Sequence, residues 1–479
     1  MQKSIFPFKP KYLNRTSCLV SLIKRFSDDT RLTASRASAT TYRGPCVVGG
    51  WIKAARHQRK FSFINIIDGL SKRDLQIVAP ASLISDVSGL RVGASIKVEG
   101  MLVDSPAKGQ CVELQADKID LLGQNDDTYP FVSNTHAYSP DYIRQYLHLR
   151  SKKPEFSAML RLRSKCRQLI HKYFAENDFV QIDTPILTTN DCEGAGETFS
   201  VGSLMQNRTK QSFFGETGVN LTVSGQLHLE ASNSGIAKVY TFGPAFRADN
   251  AVDTTHLAEF YMIEGEIAFI NGLEDLLECV EDLTKYVAKS ITENEQEDIE
   301  ALSSGSTGCE QHDITRCINN KFHRITYTEA IKLLESASED FSFKPKYGED
   351  IRREHEKYIL KVHDSVPVFI TDWPKKLKPF YMYVNEDGET VSCMDLIVPG
   401  PGELVGGSVR ENRHGVLKKS LEDADMLESC QWYLDIRQYG SVPHAGFGMG
   451  FERFLQFLFG IKQIRDTLPF PRYANNCRL

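Results

Sequence analysis

Phe242-Gly-Pro-Ala-Phe-Arg247-Ala-Asp249-Asn250, followed by His256-Leu-Ala-Glu259-Phe260, reads as a strand, a polar loop and a strand returning over Phe260–Phe269. Such a hairpin brings Arg247 and Phe260 to one site, a guanidinium suited to a phosphate and an aromatic face suited to a base. Around it, strands and helices do not alternate regularly, which points to an α+β domain on an antiparallel sheet rather than a doubly wound one. Phe156, Met159, Leu160, Cys166, Leu169, Ile170 and Phe174 recur at helical spacing and predict an amphipathic helix over 155–175. Phe179–Pro185 follows as a strand with Pro185 at an edge or bulge. A second helix is expected over Leu273–Ala288, and residues 291–313, acidic and rich in Ser and Gly, are expected as an exposed insertion.

Two more stretches carry chemistry. Gly446-Phe-Gly448-Met-Gly450 leads into Phe451-Glu452-Arg453-Phe454-Leu455, which places Arg453 in the first turn of a helix, where backbone N–H groups and a guanidinium can hold phosphate oxygens. Taken alone, the stretch reads equally well as close helix-on-sheet packing with Arg453 paired to an acid. In Met394-Asp395-Leu-Ile-Val-Pro-Gly400-Pro-Gly-Glu403-Leu-Val-Gly406-Gly407-Ser408-Val-Arg410, Asp395 and Glu403 bracket a Pro/Gly turn. Paired carboxylates beside nucleotide phosphates suit magnesium; the bland alternative is a solvated turn. The chain has no Gly-Lys dipeptide and so no Walker loop, and the glycine run does not complete a GxGxxG fingerprint.

The N-terminal quarter has a different texture. Val47–Ile52, Phe61–Ile67, Leu75–Val78, Ser95–Gly100 and Val112–Gln115 alternate as five short strands, which suit a closed barrel of the OB type over residues 44–125. Phe61 and Phe63 share one face of their strand and Gln76 follows on the next, so an aromatic ring could stack on a base while an amide reads its edge. The alternative places both rings in the barrel core. Residues 126–150 read as a linker and 151–479 as the larger domain, least distinctive near 290–350. Residues 1–43 hold nine Lys/Arg against Asp28 and Asp29, in a chain of net charge −5. That composition, rich in Ser and Thr, predicts an organellar transit peptide addressed to the mitochondrial matrix, the chloroplast being the other such destination; a basic nucleic-acid-binding arm is the rival reading. Eleven cysteines form no CxxC pair, which argues for reduced thiols, and no apolar run reaches the ~18 to 20 residues of a membrane span, so no membrane insertion is expected. Collagen, coiled coil, transporter and small secreted module are excluded.

These clusters resemble motifs 2 and 3 of the class II aminoacyl-tRNA synthetases, and Gln181–Pro185 resembles the end of motif 1. Thr188–Glu197, Val223-Ser-Gly-Gln226-Leu227 and Pro399–Arg410 are most similar to the asparaginyl-tRNA synthetases. The resemblance implies an enzyme that uses ATP and Mg2+ to activate L-asparagine and load tRNA(Asn), with a homodimer formed around Pro185. It implies that Arg247 contacts the ATP α-phosphate and the substrate carboxylate, that Phe260 stacks on adenine beside Asp249 and Gly450, and that Arg453 holds the γ-phosphate. It further implies Asp395 and Glu403 as metal ligands, Glu193 and Gln226 on the substrate ammonium, Arg410 on its side-chain carbonyl, and Phe63 and Gln76 on the anticodon. Two positions depart from the family pattern: Asp249 stands where glutamate is usual and Thr255 where arginine is usual. Aspartyl enzymes of this subclass carry a lysine three residues after the glutamine matched by Gln226, where this chain has Leu229 followed by Glu230. Rival readings are an aspartyl-tRNA synthetase, a synthetase-derived tRNA-binding protein without ligase activity, and a tRNA-independent asparagine-forming enzyme. The last typically lacks a barrel.

Overall fold

The computed structural model describes residues 31–84, 89–107, 109–132, 138–190, 198–202, 213–215, 218–251, 253–303 and 313–479. They fall into two units, divided between Ala137 and Tyr138. In the first, strands β2 (Gly44–His57), β3 (Phe61–Ile67), β4 (Leu75–Pro80), β5 (Ser95–Asp104) and β6 (Val112–Gly123) pair in the order β2-β3-β4-β6-β5, and β5 returns to β2. The ring closes as expected. Strict alternation puts Val48, Ile52, Ile64, Ile66, Ile77, Ile96 and Val98 inside, each at most 1 % exposed. A Cβ on Gly100 would lie 2.1 Å from the Gln115 carbonyl oxygen, so the close approach at this register shift requires glycine.

The barrel begins earlier than position 44, inside the segment expected as a leader. Strand β1 (Arg31–Thr33) pairs in parallel with β2, and helix α1 (Ala34–Ala39) buries Ala34 and Ala37 completely in the barrel core. Thr33 caps that helix, and the Ser35 amide donates to Asp68 at 2.9 Å. Residues 1–30 lie outside the described residues. The linker also shortens: Arg144 pairs with Asp466 at 2.6 Å, and Arg150 is buried over the Phe156 ring at 4.0 Å, so the chain from Tyr138 onward belongs to the second unit.

That unit is built on an eight-stranded sheet. Its strands are β7 (Val180–Gln181), β10 (Lys238–Phe246), β11 (Glu259–Ala268), β12 (His323–Thr326), β13 (Val368–Pro374), β14 (Thr390–Val398), β15 (Gly402–Val409) and β16 (His444–Gly450), ordered β12-β13-β14-β15-β16-β11-β10-β7. β8 (Leu187–Thr188) and β9 (Asn220–Leu221) form a separate ribbon. The central pairings are antiparallel and only the two edge pairings, β12–β13 and β10–β7, are parallel. The strand expected over Phe179–Pro185 is reduced to Val180–Gln181, with one further backbone bond to β10, from the Ile182 amide to the Tyr240 carbonyl at 2.8 Å. Helices α2 (Pro154–Glu176), α4 (Leu273–Asn294) and α10 (Phe451–Phe459) pack on one face around Phe174, Ile263, Val280, Val405, Phe447 and Phe454. Helix α3 (Gln226–Asn233) lies against β10 and β11. Helices α6 (Tyr327–Glu335), α7 (Arg353–Val362), α8 (His414–Asp423) and α9 (Gln431–Gln438) enclose a second core with Ile370, Trp373 and Val391.

The described part of the stretch expected as an exposed insertion is helical and partly packed. α4 runs on to Asn294, and α5 (Gln296–Ser303) buries Ala301 and Leu302 while Asp298 accepts two bonds from Arg161, at 2.7 and 2.9 Å. An acidic sequence without clear period reads as solvated. Here Arg161 and Lys165 of α2 pair with Asp298 and Glu295, and Ala301 and Leu302 anchor it. Residues 304–312 lie outside the described residues.

Candidate active site

The sheet face opposite α2 and α4 carries the site, and register explains its shape. On β16, Gly446, Gly448 and Gly450 stand opposite Glu266, Glu264 and Met262 of β11. On the other side, Gly448 and Gly446 face Gly406 and Ser408 of β15, and Gly406 faces Asp395 of β14. A floor of glycines is therefore rimmed by carboxylates. A Cβ on Gly446 would fall 2.0 Å from the Glu266 carboxylate, so the glycine is what allows that side chain to lie across the strand. Gly446 and Gly448 give room on a strand, and Gly450 ends it as the N-cap of α10.

One end of this face opens into a cleft lined by Arg247, Asp249, Thr255, His256, Phe260, Glu403, Gly406, Gly450 and Arg453, among others. The hairpin of β10 and β11 brings Arg247 within 5.6 Å of the centre of the Phe260 ring, as the sequence predicted. Arg453 sits in the first turn of α10. Its guanidinium donates to the main-chain carbonyls of Thr255 (3.3 Å) and Glu403 (3.1 Å) and touches the His256 ring at 3.3 Å. Among the described residues no carboxylate pairs with Arg453; its neighbour Glu452 is committed to Arg163 and to the Tyr261 amide. Arg453 therefore carries, at the rim of the cleft, a charge that no carboxylate among the described residues neutralises, unlike the acid-paired arginine of the packing reading. Thr255 contributes through its carbonyl, so the change of side chain there leaves this contact intact. Asp249 accepts a bond from the Ala251 amide and lies 3.9 Å from His256.

Asp395 and Glu403 converge over Gly406: a Cβ on that glycine would be 3.8 Å from Asp395 Oδ1 and 3.6 Å from Glu403 Oε1. The other Asp395 oxygen accepts from Lys378 at 2.6 Å. Burial raises the Asp395 carboxyl above the ordinary carboxylate range against the pull of Lys378, and Glu403 adds to the rise. Two oxygen donors facing each other across a Cβ-sized cradle, beside a cleft rimmed with cations, fit a hard divalent ion that also takes phosphate oxygens. Among the described residues no group of three or more carboxylate, His or Cys ligands exists, so the protein alone does not complete a coordination sphere.

The other end of the face is ionic and closed. Arg410, 2 % exposed, donates to Glu266 at 2.5 Å and to the Ser408 hydroxyl at 3.0 Å, and lies 3.7 Å from Glu230. Glu230 accepts from Gln226 (3.0 Å), Tyr433 (2.7 Å), His444 (3.2 Å) and Arg437 (2.5 Å). Burial alone would push the Glu230 carboxyl up; the charges of Arg437, His444 and Arg410 more than reverse this and hold it well below the ordinary range. Glu230 is thus ionised and paired. Glu264 accepts from the Gly225 amide at 2.9 Å and from the Ser224 hydroxyl. Leu229 is fully buried. Glu193 lies outside the described residues.

Sequence reasoning missed Glu264, Glu266, Lys378, Arg437, Tyr433 and His444. For the first two a signal existed: Phe260, Met262, Glu264 and Glu266 share one face of a strand read correctly, and acids there opposite glycines mark a site. Lys378, Tyr433 and Arg437 belong to no local pattern.

In the barrel, Phe61, Phe63, Asn65 and Ile67 point outward and Ser62, Ile64 and Ile66 inward, so the core alternative for the two rings is excluded. Phe63 pairs across the strands with Val78, Asn65 with Gln76, and Arg56 lies 5.4 Å over the Phe63 ring. Gln76 donates to Glu113 at 3.5 Å.

A cleft carrying two arginines and an aromatic ring, beside a buried ionic cluster on one glycine-floored, mainly antiparallel sheet, suits an enzyme that binds a nucleotide. The family description of class II tRNA synthetases (D, K and N) matches residues 139–474. An asparaginyl-tRNA synthetase of Mus musculus is 45 % identical over 441 residues, 91 % of this chain and 92 % of that protein. An asparagine–tRNA ligase of Desulfotalea psychrophila is 43 % identical over 89 % of this chain and 94 % of its own length. The crystal structure of asparaginyl-tRNA synthetase from Pyrococcus horikoshii, complexed with asparaginyl-adenylate, superposes with a TM-score of 0.81 at 27 % identity, covering 93 % of this chain and 99 % of that one. The chain belongs to the class II tRNA synthetases and, within them, to the asparaginyl-tRNA synthetase family.

Proposed function

We propose that the protein is an asparagine–tRNA ligase that forms asparaginyl-adenylate from L-asparagine and ATP and transfers the asparaginyl group to tRNA(Asn). The observation that carries this reading is the buried ionic cluster, where the Arg410 donor and the Glu230 acceptor lie 3.7 Å apart. An amide offers both a carbonyl and an N–H, and so matches such a pair; a carboxylate offers acceptors only.

A carboxylate oxygen of asparagine attacks the ATP α-phosphorus, the bond to the β-phosphate oxygen breaks, and pyrophosphate leaves. The chain contributes position and charge rather than a nucleophile: Arg247 at the α-phosphate, Phe260 beneath the base with Asp249 and Gly450 alongside, Arg453 at the far phosphate. Asp395 and Glu403 would hold Mg2+, which when bound supplies Lewis-acid neutralisation of phosphate charge. Gln226 orients the substrate ammonium. A ribose hydroxyl at the tRNA 3′ end then attacks the mixed anhydride and releases AMP. On the barrel, the outward Phe63 and Gln76 support stacking and edge-reading of anticodon bases. Pyrophosphate exchange with asparagine and aspartate side by side tests the reading; preference for aspartate would overturn it in favour of an aspartyl enzyme, and no exchange with either in favour of a binding protein.

We also infer a homodimer and an organellar address. Exposed Val180, Ile186 and Leu187 beside exposed Pro185 support a self-association surface there. Light scattering of wild type and Ile186→Asp tests it, a monomeric wild type refuting it. The basic, Ser-containing segment 1–30 supports import into the mitochondrial matrix; a reporter fused to it should enter mitochondria, whereas cytosolic or plastid fluorescence would refute that address.

A further inference from the structure

Helix α9 contains no motif residue, yet two of its side chains reach the amino-acid end of the site. Every strong donor from the C-terminal segment falls on one oxygen of Glu230: Arg437 Nη2 at 2.5 Å, the Tyr433 hydroxyl at 2.7 Å and His444 Nε2 at 3.2 Å all meet Oε2. The other oxygen, Oε1, faces Gln226 Nε2 at 3.0 Å and Arg410 Nε at 3.7 Å, the two groups that line the amino-acid site. Arg437 has a second attachment. Its Nε donates at 2.9 Å to the carbonyl of Glu411, the residue after Arg410, and its Nη2 also donates to the Tyr433 hydroxyl at 2.8 Å. One guanidinium thus ties the main chain beside the pocket's donor to the side chain of its acceptor, and does so where both side chains are fully buried.

We propose that Arg437 and Tyr433 are positioning residues for amino-acid selection, clamping Glu230 Oε2 so that Oε1 and Arg410 together match an amide and mismatch a carboxylate. The proposal rests on the asparagine reading above and extends it to side chains that touch no substrate. The physical argument is one of geometry and charge. A carboxylate free to rotate in this pocket could turn both oxygens to Arg410, as Glu266 does with bonds of 2.5 to 3.3 Å, and would then cancel the donor that the substrate carbonyl needs. The groups around Glu230 are Arg410 and His444 from the sheet, Arg437 and Tyr433 from α9, Gln226 from its own helix, and Glu266 beyond Arg410. Only the α9 pair holds Oε2 without also lying on the glycine-floored face. A bond to a charged, buried group differs enough between orientations to bias selection strongly.

The test measures kcat/KM in pyrophosphate exchange for asparagine and for aspartate with the full chain. Arg437→Met should lower the asparagine-to-aspartate ratio by about tenfold or more, Tyr433→Phe by about threefold, and Arg437→Lys should recover part of the Arg437→Met loss. A purely structural role would lower both rates together; an unchanged ratio in Arg437→Met and Tyr433→Phe overturns the proposal. Tyr433→Phe keeps the ring and the helix packing, so its ratio decides the matter where Arg437→Met does not fold. A wild type with no asparagine preference is a different result, which removes the asparagine reading itself.

Discussion

The barrel and the catalytic unit handle polar chemistry in opposite ways. In the barrel the described core is aliphatic apart from small side chains, and aromatic and amide groups stand outside: Phe61 is 45 % exposed, and Phe63, Asn65 and Gln76 share its half-open face. In the catalytic unit the reading groups are charges taken out of water, with Arg410, Glu230 and Glu266 all at most 2 % exposed and each held by oppositely charged partners. On the proposed function the difference follows from ligand size. A small zwitterion is selected only when unmatched charge costs desolvation, so its pocket must be dry and pre-paired. A folded polymer supplies enough area for selection by stacking and a few half-exposed amides. Changes in the catalytic unit should therefore be large and coupled to stability, and changes on the barrel face modest and specific to the polymer.

The sharpest way to break this contrast is Glu230→Gln. Removing one charge from a buried pair should cost about 3–5 kcal/mol of stability at neutral pH, read by urea unfolding. The pH dependence has a definite sign. Folded Glu230 is held below its ordinary value of 4.5, so in acid the unfolded chain binds the extra proton, and the stability it contributes is present above that value and lost as pH falls below it. The variant should flatten this acid limb, and an equally steep limb would show that Glu230 is not the ionised hub.

Next in size is Arg453→Ala. A phosphate contact in a water-poor cleft is worth about 2–4 kcal/mol, so pyrophosphate exchange should fall roughly 30- to 1000-fold in a folded variant. Near-normal exchange would detach α10 from the phosphates. Leu229→Lys comes third: a cation beside Arg410 and Glu230 should shift preference toward aspartate by about 1–3 kcal/mol in the kcat/KM ratio. Because Leu229 is fully buried, an unchanged preference would mean that it serves packing and that selection rests on the Arg410–Glu230 pair alone. Gln76→Ala should have the smallest effect, about 1 kcal/mol on tRNA charging, with tRNA-independent adenylation untouched. If both fall together, the barrel face acts through structure and the contrast fails.

What this protein owes to its sequence alone is whatever repeats locally. The period-two strands of the barrel, the amphipathic helices and the hairpin that joins Arg247 to Phe260 are all written in neighbouring residues, because backbone geometry forces side chains of one face into register. Other features answer only to tertiary structure. Ala34 and Ala37 carry too little apolar surface to announce that residues 31–39 complete the barrel, and Asp298 reads as solvated until Arg161 appears beside it. The ionic pocket is the extreme case. Arg437 and Glu230 stand 207 residues apart, and nothing in either neighbourhood shows that they meet. A charge is stable in a protein interior only where the fold supplies its counter-charge and hydrogen bonds, and that supply comes from strands and helices remote in the chain.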